Sequence, residues 1–280
     1  MIRVALPNKG TLFQPSVELL RASGFDITKP TKSLYYSDNK NGVEFYFLRA
    51  SDIPMYLSKG IIDIGITGED LHSEKKGTAN KVISLPYGDS KLCVAVEDNS
   101  HIKRLQDVSD LRLATSFPNI VRSHFSESNI DIVELDGAVE ISIGLGLVDC
   151  VVDVVETGAT LKSAGLRAIS EPIFTSNAAI YSIDSPADSA NANKFLSRIR
   201  GRLIASEYKL IEYDVPSELL DAACQLTPGI ESPTVSQLKN NDWFSVKSMV
   251  EKQKAHQTMD ELNDLGCKAI LLTSIEMARI

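Results

Sequence analysis

Cys150-Val151-Val152-Asp153-Val154-Val155-Glu156-Thr157-Gly158-Ala159-Thr160-Leu161 is the stretch on which the reading of this chain turns. Its first half is a run of β-branched residues, the composition of a buried strand. Its second half is a turn of small and hydroxyl residues that passes into a helix. The first turn of a helix leaves backbone N–H groups without partners and carries the positive end of the helix dipole. Glycine lets an anion approach those groups, and two threonine hydroxyls add donors. Glu156, Thr157, Gly158, Ala159, Thr160 and Leu161 therefore form a candidate phosphate cradle. The same residues would also serve as a plain strand-to-helix connection. Asp153 lies two residues before the strand end, in an otherwise apolar run. A carboxylate there either holds sugar hydroxyls or faces solvent at the strand edge. Asp149 is a second acid just upstream.

Outward from this strand the pattern is one of alternation. Residues 2–6 read as a strand, 11–23 as a helix ended by Gly24, and 43–48 as a strand. Asp52 is placed to cap a helix with Pro54 in its first turn, and Gly60 ends it. Strands follow at 61–66, 82–85 and 92–96. A second run reads as a strand at 111–115, a helix at 118–128, a strand at 130–135 and a helix at 139–148, and then reaches Cys150. Such alternation predicts parallel sheets covered by helices. Two runs joined near residues 88–91 predict two lobes around a cleft, with ligands at the carboxyl ends of strands.

The tail has another rhythm. A strand at 204–214 and a helix at 217–225, capped by Ser217, precede a hairpin of 234–238 with 243–250. A helix at 255–265 is stopped by Gly266, and 268–275 is the last strand. That β-α-β-β-α-β order is ferredoxin-like. The expected division is residues 1–90 with a return segment 179–203, residues 91–178, and residues 204–280.

The net charge of -8 argues against nucleic acid and anionic membrane as partners. A small basic pocket within an acidic chain remains compatible with an anionic substrate. Cys93, Cys150, Cys224 and Cys267 lie far apart, with no C-x-x-C pair and no histidine at metal-ligand spacing. Buried reduced thiols are the expectation, and no metal site is assigned to the protein's own side chains. The chain opens on a strand without a basic and apolar leader, and no apolar run approaches about 18 residues. A cytoplasmic location is expected.

Cations stand at further strand ends. Lys9, in Pro7-Asn8-Lys9-Gly10-Thr11, follows the first strand, and Arg49 follows the strand ending at Leu48. Glu69 and Asp70 follow the strand at 61–66. Each alone suits a solvated loop; together they suit a shared cleft in which a cation meets a diphosphate. His72, His101, His124 and His256 show no pairing pattern. There is no Gly-x-Ser-x-Gly elbow and no P-loop. Gly144 and Gly146 fall inside a helical pattern, where they suit packing rather than a dinucleotide.

Taken together, these segments resemble the ATP phosphoribosyltransferases in their long form. The carriers are Leu6-Pro7-Asn8-Lys9-Gly10, Arg49-Ala50-Ser51-Asp52-Ile53-Pro54, Asp63-Ile64-Gly65-Ile66-Thr67-Gly68 and Asp153 through Leu161. In the tail they are Leu226-Thr227-Pro228-Gly229-Ile230-Glu231-Ser232-Pro233-Thr234 and Met259-Asp260-Glu261-Leu262. The family more usually has proline at Ala50 and alanine at Val148, both apolar support positions.

The resemblance implies an α/β fold: a two-lobed, periplasmic-binding-protein-like catalytic part followed by a ferredoxin-like (ACT-like) regulatory domain. It implies that adenine N1 of ATP attacks C1 of phosphoribosyl pyrophosphate and releases pyrophosphate, with Mg2+ on the diphosphate. Lys9, Arg49, Asp70 and Asp153 are then the catalytic candidates. Gly10, Asp153 and Glu156 through Leu161 are the substrate-binding ones. In the tail, Asp214, Ile230, Ser232, Thr234 and Ala269 match positions that bind histidine as inhibitor. A homo-hexamer with no separate regulatory subunit is implied, and a dimer in equilibrium with it is compatible. Two other readings stay open on the residues themselves: a two-lobed solute-binding protein, and an effector-binding regulator without catalysis.

Overall fold

The computed structural model describes residues 1–28, 33–126, 128–155, 159–183 and 190–279, the side chains at 159 and 160 apart. The chain divides into two compact units, Met1–Glu18 with Asp26–Ala192 and Leu19–Phe25 with Asn193–Ile280.

The first unit holds two sheets. Strand β1 (Ile2–Pro7) leads to helix α1 (Phe13–Ala22), β2 (Tyr35–Asp38), β3 (Val43–Leu48), α2 (Ile53–Ser58), β4 (Ile64–Gly68), α3 (Glu69–Glu74) and β5 (Asn80–Ser84). The chain then builds a second sheet with β6 (Ser90–Glu97), β7 (Arg112–Thr115), α4 (Pro118–His124), β8 (Asp131–Glu134), β9 (Cys150–Val155), α5 (Ala159–Ser163), β10 (Leu166–Ala168) and β11 (Phe174–Ser176). Finally β12 (Ala178–Ser182) returns to the first sheet. The orders are β2-β3-β1-β4-β12-β5 and β10-β6-β9-β7-β8, with β11 also on β6. Central β4 is buried at every residue, whereas β3 alternates buried and half-buried, as an amphipathic strand should.

Neither sheet is wholly parallel, which corrects the expectation from alternation. β1 runs parallel to β3 and β4, and β7 parallel to β8 and β9. β12 runs against β4, β6 against β9, and β2 against β3. The first-sheet strands β1, β3 and β4 all end on one edge. A strand that starts at that edge, as β12 does, must run the other way.

Local expectations also change, and the helix read at 118–128 ends at His124. The helix read at 139–148 is a short 3-10 turn, Val139–Ile141, followed by further turns. Gly144 and Gly146 explain this, since glycine weakens a helix interior and Gly146 takes φ 71. Asp52 is itself helical (φ -94, ψ -22) and gives no side-chain cap. Ser217 gives none either, and a 3-10 turn Ser217–Leu219 opens the next helix.

The second unit carries α6 (Ala190–Glu207), β13 (Tyr208–Pro216), α7 (Leu220–Leu226), β14 (Thr234–Gln237), β15 (Trp243–Glu251), α8 (Ala255–Leu265) and β16 (Lys268–Ser274). Its sheet is antiparallel in the order β14-β15-β13-β16, the ferredoxin-like arrangement. Ile211, Tyr213 and Val215 alternate inward on β13 and meet Val246, Val250, Ala223 and Leu262 in one core. Gly266 ends α8 at φ 108, as read. The strand read from 204 starts later, because α6 continues to Glu207 and buries Phe195, Leu196, Ile199 and Ala205 at helical spacing.

All four cysteines are free; Cys93, Cys150 and Cys267 are buried and Cys224 is half-buried. Burial pushes the Cys150 thiol up to about 12, so it stays protonated. Among the described residues no helix is long and apolar enough to cross a membrane.

Candidate functional site

Parallel pairing of β1 with β3 and β4 places three strand ends on one edge of the first sheet. Pro7 stands opposite Leu48, and the Asn8 N–H donates to Leu48 O at 2.7 Å. Lys9, Gly10 and Arg49 follow these ends and are exposed. Thr67, fully buried in β4, donates its hydroxyl to Ala50 O at 2.8 Å and so pins the turn that carries Arg49. Among the described residues neither Lys9 nor Arg49 forms an ion pair. The edge therefore presents two uncompensated cations, which suits phosphate groups.

Asp70, in the first turn of α3, is buried against the place where the chain crosses between sheets. Its Oδ1 accepts the Leu71 N–H at 2.8 Å, and its Oδ2 accepts the Ser90 hydroxyl at 3.3 Å. Its own N–H donates to Ser176 Oγ at 2.9 Å. Ser90 opens β6 and Ser176 closes β11, the strands by which the chain leaves and re-enters the first sheet. Glycine is needed at 68, because a Cβ there would strike Asp70 Oδ1. Gly88 at the crossing takes φ 76, and a Cβ would strike Leu12. A cavity of about 150 Å³ at this crossing is lined by Asp89, Ser90, Lys91, Val155, Thr175, Ser176 and Asn177.

That cavity reaches the end of β9, where Lys91 pairs in register with Val155 and Cys93 with Asp153. Asp153 is half-buried, and its Oδ1 accepts the Val154 N–H at 2.7 Å. Burial holds its pKa above the ordinary carboxylate value, and the charge of Glu140 adds to the rise. Of the cradle read from sequence, Glu156, Thr157 and Gly158 lie outside the described residues. Ala159 and Thr160 open α5, and their side chains lie outside as well. Leu161 is buried in a core with Ala95, Ala114 and Val151. Its side chain anchors the helix, so only its backbone is left to meet a ligand.

In the second unit, Ile230, Ser232 and Thr234 line a cavity of about 450 Å³ with Lys247, Ser248, Met249 and Arg279 among its other walls. Two buried hydrogen bonds shape the loop above it: Tyr213 OH to Thr227 Oγ1 at 2.8 Å, and Ser248 Oγ to Thr227 O at 2.9 Å. Burial pushes the Tyr213 phenol up to about 12. Asp214 and Ala269 are elsewhere on the same sheet. Asp214 is in register with Ser245 and Lys268, where the β13–β16 pairing shifts, and Ala269 takes φ 49 beside that shift. The five tail residues thus form two groups.

Sequence reading missed Thr67, Ser90, Lys91 and Ser176. Lys91 stood in the joining segment already noted at 88–91. The serines had no local signal, since their partner Asp70 is distant in sequence.

Residues 49–201 match the family model described as ATP phosphoribosyltransferase, and residues 205–277 match that described as HisG, C-terminal domain. Relatives named ATP phosphoribosyltransferase from Corynebacterium aurimucosum and Salinibacter ruber are 42% and 39% identical, over 100% of both chains. The solved ATP phosphoribosyl transferase (HisG:HisZ) complex from Thermotoga maritima gives a TM-score of 0.62 at 27% identity, covering 71% of this chain and 96% of that one. The substrate binding protein of an amino acid ABC transporter gives 0.50 at 15% identity, over 74% of this chain and 94% of that one, a likeness of fold alone. The expected two-lobed, binding-protein-like architecture with a ferredoxin-like tail is therefore borne out. With a matched model over more than half its length and full-length relatives at this identity, the chain belongs to the ATP phosphoribosyltransferase family, pentosyltransferases that carry out the first step of histidine biosynthesis.

Proposed function

We propose that the first unit joins N1 of the adenine of ATP to C1 of phosphoribosyl pyrophosphate. The N1–C1 bond forms with the lone pair of N1, and the C1–O bond breaks with its electrons leaving on pyrophosphate. Negative charge grows on the leaving group and positive charge on the ribose ring. The task is then to hold two anions in line and stabilise that leaving group.

The observation that carries this reading is the half-buried Asp153 near the end of β9, raised by burial and, among the described residues, in no ion pair. Such a carboxylate gains most when ribose hydroxyls and positive charge reach it. Residues 156–161 would seat the 5-phosphate on the opening turn of α5. Lys9 and Arg49 would face the nucleotide and the pyrophosphate, and Gly10 would let phosphate approach the backbone. Asp70, already bonded to Ser90 and to the Leu71 N–H, would position that edge. Among the described residues no three His, Cys, Asp or Glu side chains stand together as a metal cage. Mg2+ keeps several waters and takes phosphate oxygens, so in this reading it would ride on the diphosphate of the substrate while Asp153 holds the ribose hydroxyls. When bound it would neutralise charge on the departing diphosphate.

The reading extends to the tail as the seat of inhibition by histidine. Lys247 and Arg279 beside Ser232 and Thr234 suit a carboxylate, and Asp214, in the separate group with Ala269, would meet the amino group from the tail of a second copy. In this reading the chain works in the cytoplasm as a homo-hexamer. It needs no partner such as the HisZ of the Thermotoga maritima complex, because residues 205–277 supply its own regulatory domain.

An assay with ATP, phosphoribosyl pyrophosphate and Mg2+, following pyrophosphate release and the N1-ribosylated product, tests the chemistry. Absence of product would refute it. Histidine at millimolar or lower concentration should inhibit the purified chain alone, and Asp214→Ala should abolish that response with kcat retained. Equal inhibition of both proteins would remove Asp214 from the site.

A further inference from the structure

Glu74, the last residue of α3, is a carboxylate only 5% exposed. Its oxygens accept the Asn119 N–H (3.1 and 3.0 Å), the Ile120 N–H (3.1 Å) and the Asn119 side-chain amide (3.1 Å). That amide also donates to Glu74 O at 3.0 Å. A buried carboxylate is tolerated only with such full hydrogen bonding. All of these partners lie in the first turn of α4, a helix of the second sheet's layer. Glu74 itself is reached from the first sheet, through β4 and Asp70. Earlier in α3, Leu71 packs against the core of the second sheet.

The two sheets are joined covalently by two stretches, 88–90 and 176–178, and Ser90 pairs with Ser176. Two neighbouring strands define a hinge axis about which the lobes of such folds close on a ligand. A contact away from that axis stops the rotation. The α3 helix supplies one: it continues directly from β4 of the first sheet and is fastened to the second at Asp70, Leu71 and Glu74.

We infer that Glu74 is a positioning residue for the transfer reaction: its hydrogen bonds to α4 hold the carboxyl edges of the two sheets at a fixed separation. The enzyme brings its substrates into line by binding them across a preset gap rather than by closing its lobes. This rests on the reading that Lys9 and Arg49 on one edge and Asp153 on the other each hold part of the substrates.

The test measures the inter-lobe distance by pulsed electron paramagnetic resonance in the full chain. Spin labels go at Lys40→Cys and Lys103→Cys, both exposed, with half-exposed Cys224 changed to Ala. One narrow distance is expected, unchanged by ATP, phosphoribosyl pyrophosphate or both. Glu74→Gln turns an amide NH2 toward the Asn119 and Ile120 N–H groups. It should broaden the distance and lower kcat on the order of 100-fold, with each KM within about threefold. Should that variant fold poorly, Asn119→Ala removes only the side-chain donor and should give a smaller broadening in a folded protein. A distance that shortens when substrates bind the unsubstituted enzyme overturns the inference. So does an unchanged distance and kcat in both variants. The distance readout is independent of the Asp153 assignment, so broadening in Glu74→Gln alongside normal kinetics in Asp153→Asn would refute the substrate reading and keep this one.

Discussion

The two ends of β9 treat the same chemical group in opposite ways. At the amino end, Asp149 is tied to Arg112, whose backbone N–H donates at 2.9 Å, Nε at 3.3 Å and a terminal nitrogen at 3.1 Å. These bonds hold the Asp149 carboxyl below its ordinary range. Near the carboxyl end, Asp153 accepts a neighbouring backbone N–H and, among the described residues, forms no ion pair, and burial holds it above that range. A carboxylate compensated by its own fold is structural. One left uncompensated in a half-buried place costs the free protein stability and is repaid only by a ligand.

The sharpest way to break this contrast is Asp153→Asn. If the contrast is right, kcat/KM for phosphoribosyl pyrophosphate falls about 10²–10³-fold, since hydrogen bonds to a charged acceptor are lost in the transition state. Unaltered steady-state kinetics would make Asp153 an ordinary strand-end acid.

A smaller effect concerns stability. A raised carboxyl stabilises the fold fully below the unfolded value of 3.8 and loses that contribution as pH rises through the native value. A lowered one contributes above 3.8 and loses it as pH falls through the native value. Ligand-free Asp153→Asn should therefore melt about 1–3 °C above the unsubstituted protein at pH 7, a modest gain because water screens the group. The difference should vanish near pH 3. Asp149→Asn should show the opposite sign at pH 7. Melting curves that shift alike would erase the distinction between the two ends.

The smallest effect is expected for Arg112→Ala, whose pair lies on the surface: Tm within about 2 °C and kcat unchanged. A large kinetic loss there would mean that the amino end also serves the reaction.

How legible this was depended on distance along the chain. The run from Cys150 to Val155 reads as a strand because β-branched residues are consecutive, and it is one. The tail's order was legible because Ile211, Tyr213 and Val215 keep period two and Gly266 stops a helix. Residues 139–148 misled, since apolar residues recur at helical spacing but two glycines break the helix. Thr67, which pins the Arg49 turn, the serine partners of Asp70 and the α4 partners of Glu74 were invisible. Each is a tertiary hydrogen bond between positions far apart in sequence, and no local pattern encodes it. The cradle at 156–158 lies outside the described residues, so its role rests on Asp153 before it and α5 after it.

The insertion of β12 between β4 and β5 has a consequence for the nascent chain. Asp70 waits for Ser176, 106 residues later, and β4 waits as long for its neighbour. At the pace of translation that is roughly 5–20 s in which a strand built to be buried at every residue stands at an open sheet edge. The emerging polypeptide therefore passes through a period of exposure to wrong strand pairing. Its yield in cells should depend on elongation speed and chaperone supply more than the stability of the finished enzyme would lead one to expect.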